Sequence, residues 1–197
     1  GVDTTGSTPI PVDNKNRALG TLPQWKNNLG AQAWLWKDHS AHAQADRMTA
    51  WARRSCPEVL DRCGGAISSE WFWPKLWRCL ETHPELSSEI ASWVECCDWI
   101  PSVLAGIQDP SRVVRGTCAA GHKAMFDPSW GGFPKVNLLE ELSPTLASFT
   151  EKLYSETHHA DHTAGTLSAH YAMVWGLPSE TPIGVGLLDA HAGAVGA

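Results

Sequence analysis

A chain of 197 residues is long enough to bury a sizeable core, and 43% hydrophobic with 18% charged residues is the balance of an ordinary globular domain, not of a disordered segment. The net charge of -6 argues against non-specific nucleic-acid binding, which needs a basic surface. No apolar run reaches membrane-spanning length and no signal peptide is read before Gly1; the six cysteines form no CxxC pair and no zinc-like spacing, so a reducing cytoplasm is the expected setting.

In chain order, Gly1-Val2-Asp3 reads as the end of a strand and Thr4 to Thr8 as a tight polar turn. Pro9 to Val12 is an extended return that suggests a hairpin-like pair. The stretch DTTGST could cradle an anion, but it lacks the spacing of a phosphate-binding loop and reads equally as a turn lining a cleft. A chain that begins without Met in mid-strand is expected to be a fragment.

Ala31 to Trp36 alternates as a strand does and ends in Lys37-Asp38-His39; Ser40 is placed to cap a helix running to about Arg53. Two indoles beside that polar cluster could bind a polar ligand or simply join the core. Ser68-Ser69-Glu70 opens a helix from Trp71 to Glu81 with Pro74 in its first turn, where proline costs least. Trp73, Leu76, Trp77 and Leu80 then form one apolar stripe that predicts core. Ser92 to Cys96 reads as a strand, and Asp98 as the cap of a helix from Trp99 to Leu104.

Residues 107–126 read as mostly extended, with Lys123 set among small and apolar neighbours. A lysine there either donates to a ligand's oxygens or snorkels to solvent. Helices are expected from Val136 to Leu142 and from Pro144 to Leu153. In the polar stretch Ser155 to Thr163, His158, His159, Asp161 and His162 could ligate a transition metal, or form a solvated loop. Ala164 to Leu167 reads as a connector, and Ser168 as the cap of a helix that Gly176 ends after Trp175. Finally, Gly184 to Leu188 reads as an apolar strand delivering one carboxylate, Asp189, to a small-residue helix. That acid is either a helix cap or a catalytic group at the carboxyl end of a sheet. With no repeat and no linker, one α/β domain with a mixed sheet flanked by helices is expected.

The blocks GVDTTGSTPIPVD, LWKDHSA, GGAISSEWFWPKLW, CAAGHKAMF with WGGFP, and TPIGVGLLDAH resemble, in that order, the L-ribulokinase branch of the FGGY carbohydrate kinases. PKLW stands where other FGGY kinases have a slightly longer Lys-apolar-x-Trp pattern, which favours that branch. The resemblance implies a ribonuclease-H-like, actin-like ATPase fold and phosphorylation of L-ribulose at its terminal (C5) hydroxyl, with ATP and Mg²⁺ as cofactors. By it, Asp189 matches the catalytic base, Lys123 contacts sugar oxygens, and Gly6 and Trp36 line the sugar pocket. Lys37, His39 and Glu70 join them by their place in the blocks. The resemblance further implies that residues 1–197 are the sugar-binding N-terminal domain, incomplete at both ends: it lacks the first phosphate-binding strands and the ATP-binding domain, and so does not turn over alone. The implied partner is a small sugar, with no nucleic acid and no membrane, and a homodimer is allowed. The competing readings are a D-ribulose or xylulose kinase, a non-catalytic sugar-binding module, and a metal-dependent hydrolase built on the His158 to His162 cluster.

Overall fold

Among the described residues, six short strands pair two by two. Strand β1 (Asp3–Thr4) runs parallel to β6 (Leu187–Leu188), with Asp3 opposite Leu187. Strand β2 (Pro9–Val12) is antiparallel to β3 (Ser92–Glu95), and β4 (Thr163–Thr166) is antiparallel to β5 (Pro182–Gly184). The pairing is mixed, as expected, but it is divided among three two-stranded pieces. This computed structural model describes the backbone of residues 1–197 and every side chain but that of Leu138.

The helices are α1 (His42–Ser55), α2 (Pro57–Asp61), α3 (Phe72–Thr82), α4 (Cys96–Leu104), α5 (Thr117–Lys123), α6 (Val136–Leu142), α7 (Pro144–Phe149), α8 (Ala169–Trp175) and α9 (Asp189–Gly196). Helix α3 is the centre of the core: Trp73, Leu76, Trp77 and Leu80 are all buried, as their spacing predicts. Trp73 also solves its polar problem, its Nε1–H donating to the Ala124 carbonyl at 2.6 Å. Around it, Phe72, Phe126, Phe133 and Tyr154 pack edge to face or stacked, with centroids 4.8 to 6.4 Å apart. A smaller apolar cluster of Cys97, Ala119 and Leu188 joins α4, α5 and β6, immediately before Asp189.

Several local expectations are corrected. Residues 32–36 form no strand, because the Trp34 N–H bonds the Pro9 carbonyl at 2.9 Å without a ladder following it. The helix after Ser40 starts at His42, capped by Ala41, while Ser40 donates its own N–H to Asp38. Strands β1 and β2 do not form a hairpin; each pairs with a distant strand. Residues 117–123 are helical rather than extended, since a run of small residues carries no strong period in either direction. Residues 163–166 form a strand rather than a connector, and the apolar run 184–188 is interrupted, ending β5 at Gly184 and resuming as β6 at Leu187.

Asp98 caps nothing. Helix α4 begins at Cys96, and the buried Asp98 carboxylate accepts the Gly116 N–H at 2.9 Å, fixing the start of α5. Burial raises its pKa from 3.8 to about 7, against the pull of the Arg115 guanidinium. A folded pKa above the unfolded one means that this group's stability contribution is complete below about pH 4 and is lost as the pH rises through 7. Asn at this position keeps the acceptor and does not titrate. The stability of Asp98→Asn relative to the parent should therefore improve by up to about 1.4 kcal/mol per pH unit between pH 4 and 7, then level off. Denaturant melts at a series of pH values test this, and a difference independent of pH would refute it.

Candidate functional site

Asp189 is the first residue of α9, delivered there by β6. Its side chain is exposed and takes part in no ion pair among the described residues; the one hydrogen bond it accepts is from the Ala190 N–H, at 2.8 Å. An exposed acid at a helix N-terminus interacts favourably with the backbone dipoles there and remains open to a ligand.

Lys123 ends α5, whose neighbours are β6 and α9. Two contacts tie that helix to the one bearing Asp189. Cys118 Sγ meets His191 Nδ1 at 2.7 Å, and the His122 and His191 rings stack at 4.9 Å and 6°. Lys123 is half-buried, its Nζ lying 5.9 Å from the Trp71 ring centroid, and its charge is felt by Glu95, Lys75 and His122. Gly6 packs against the residue before Asp189: a Cβ there would come within 2.1 Å of Leu188 Cδ2. Trp36 is 46% exposed, and its backbone N–H donates to Thr8 Oγ1 at 3.1 Å, which fixes that segment of chain beside the turn that holds Gly6.

The remaining expected residues form a second group. His39 lies 3.5 Å from Glu70 and 3.2 Å from the Ser69 hydroxyl, whereas Lys37 is exposed with no polar partner among the described residues. Between these groups lies a residue not singled out from the sequence, Lys75. It is fully buried, and Asp38, Glu70, Glu95 and Lys123 all act on its charge. Burial lowers its pKa from 10.5 to about 8. Glu95 is likewise buried, which raises its carboxyl pKa against the Ser7 hydroxyl and the Thr8 N–H that bond it.

A pocket of about 390 Å³ opens beside this site, lined by Arg62, Trp71, His122, Met125, Phe126 and Trp130 among others. None of the expected site residues line it, so it adjoins the site through Trp71 and His122 without being it. His162 pairs with Asp161 at 2.9 Å and its ring lies 5.7 Å from that of His158, but among the described residues no three His, Cys, Asp or Glu side chains are grouped to hold a metal ion. The six cysteines are free thiols, and no helix is long and apolar enough to cross a membrane.

The chain is 44% identical, over its whole length, to a ribulokinase of Vibrio parahaemolyticus, and 38% identical to a ribulokinase of Mycolicibacterium smegmatis. By sequence, the chain is similar to ribulokinases over nearly all of its length. It spans about a third of those relatives' length, 35% and 34% respectively. No protein-family model matches this ribulokinase-like chain. Among solved structures it resembles a xylulose kinase from Bifidobacterium adolescentis, with a TM-score of 0.72 at 15% identity, over all of this chain and 42% of that one. It also resembles a xylulose kinase from Rhodospirillum rubrum, with a TM-score of 0.68 at 19% identity, over 96% and 35%. Those likenesses establish the fold as the actin-like one of the sugar kinases, as the sequence blocks implied.

Proposed function

We propose that this chain is the sugar-binding part of an ATP-dependent pentulose kinase that phosphorylates L-ribulose on its terminal hydroxyl. The observation that carries the reading is the exposed carboxylate of Asp189, unpaired and joined through α5 to the half-buried ammonium of Lys123. Asp189 takes the proton of the attacking hydroxyl, which leaves the sugar oxygen free to attack the γ-phosphorus in line. Lys123 donates to sugar oxygens, Trp36 offers an indole face to the C–H side of the ketose, and the absent side chain of Gly6 leaves room beside Leu188. Positioning and charge stabilisation supply most of the rate in such a transfer.

The nucleotide and Mg²⁺ are bound mainly by residues outside this chain. Among the described residues the donor set offers no cluster of three ligands for the metal, and this chain's own side chains act on the sugar. The 197-residue chain alone is therefore expected to release no ADP steadily from ATP, Mg²⁺ and L-ribulose; sustained release would overturn that assignment.

The 44% identity to a ribulokinase favours a ribulose over xylulose, whereas the xylulose-kinase likenesses speak only to the fold. Relative kcat/KM for L-ribulose, D-ribulose and D-xylulose, measured on the natural gene product carrying this sequence, tests the choice. In the same protein, Lys123→Met should lower kcat/KM for the ketose by about ten- to a hundredfold, the worth of a hydrogen bond from a charged donor. A preference for D-xylulose, or a Lys123→Met variant with unchanged kcat/KM, would refute the corresponding part of the reading.

A further inference from the structure

Lys75 has no task in the mechanism above, yet its environment is built for one. A buried ammonium loses several kcal/mol of hydration, and an apolar side chain of similar size is often as stable in its place. Here the cost is met by three carbonyls drawn from two separate segments. The Lys75 Nζ donates to Ser7 at 2.8 Å, to Leu35 at 2.7 Å and to Trp34 at 3.2 Å. Three acceptors around one nitrogen suit the tetrahedral ammonium of lysine and not the planar fork of arginine.

Glu95, at the end of β3, holds the same turn from its other side. It accepts from the Ser7 hydroxyl and, at 2.9 Å, from the Thr8 N–H. The Thr8 hydroxyl in turn accepts the Trp36 N–H at 3.1 Å. Ser7, Thr8, Trp36, Leu35 and Lys75 thus form a closed ring of hydrogen bonds and chain, with Glu95 braced against it. Gly6 and Trp36, the two expected pocket walls, stand directly on that ring.

We propose that Lys75 is a positioning residue: its ammonium fixes the spacing between the Gly6 turn and the Trp34–Trp36 segment and so sets the width of the ketose pocket. The proposal rests on the pentulose-kinase reading, because it is that reading which makes Gly6 and Trp36 pocket walls. Because that reading assigns the nucleotide mainly to residues outside this chain, the effect falls on the ketose and spares the nucleotide.

The test is steady-state kinetics on the natural gene product carrying Lys75→Met, which keeps the aliphatic stem and removes the three donors. The expected result is a KM for L-ribulose raised at least tenfold, a KM for ATP within twofold of the parent, and a kcat within fivefold. Ser7→Ala, a small change that cuts the Glu95 brace, should raise the ketose KM about threefold with the same selectivity, and it decides the matter if Lys75→Met does not fold. A folded Lys75→Met with an unchanged ketose KM overturns the proposal, as does an equal rise in both KM values, or an unchanged ketose KM in Ser7→Ala when that variant must decide. If the unsubstituted protein phosphorylates no ketose, the underlying reading falls and the proposal with it; activity in the parent with no selective KM effect sinks the proposal alone.

Discussion

Asp189→Asn, made in the natural gene product, should lower ketose phosphorylation by about 10²–10⁴-fold, the range a positioned general base contributes. The substitution is nearly isosteric. The amide oxygen can still accept the Ala190 N–H that Asp189 accepts at 2.8 Å, so the start of α9 keeps its geometry. What is lost is a group able to take the hydroxyl proton during attack. Because that role belongs to the transition state, kcat should carry the loss and the ketose affinity should stay within about threefold. Paired measurements of kcat and of ketose binding check both halves. A variant keeping a tenth or more of the parent's kcat would remove Asp189 from the chemistry.

Gly186→Ala should destabilise the chain by about 3 kcal/mol or more, a size reserved for substitutions with a specific steric or polar cause. A Cβ at Gly186 would sit 1.8 Å from the Cys97 carbonyl oxygen and 2.6 Å from its carbon. Those are backbone atoms of a buried residue in α4, so no side chain can swing aside, and either β6 or α4 must shift. Gly184 is the control, since a Cβ there meets nothing within 4 Å. For a chain of this length each kcal/mol moves Tm by about 2–4 °C, so Gly186→Ala should melt roughly 6–12 °C lower while Gly184→Ala stays within a few degrees. Matching melting points for the two variants would show that the close approach of β6 to α4 is not needed for stability.

The elements that could be read from sequence are those with a strong period or clear punctuation. Helix α3 declares itself through Trp73, Leu76, Trp77 and Leu80, and α8 through Ser168 before it and the left-handed Gly176 after it. Helix α5 was misread because its residues are mostly small, and strand β4 because four residues around a glycine carry almost no alternation. Asp189, Lys123, Gly6 and Trp36 are proposed as site residues from the blocks that contain them. Lys75 lay in one of those blocks too, but a lysine in a helix reads as a solvated side chain. Its burial shows only in the fold, under carbonyls that lie some 40 and 68 positions away in the chain. The one signal available was its place inside a run of aromatic and apolar residues, Phe72 to Trp77, with almost no room for a charge.

The parallel pairing of Asp3 with Leu187 spans nearly the entire chain. Contacts of such long range close late in folding, because the loop entropy must be overcome before any of their energy is returned. The carboxylate that follows β6 is thus installed only after Asp3 and Leu187 have met. Disrupting the Asp3–Thr4 strand would unseat it while leaving the tryptophan-rich centre untouched.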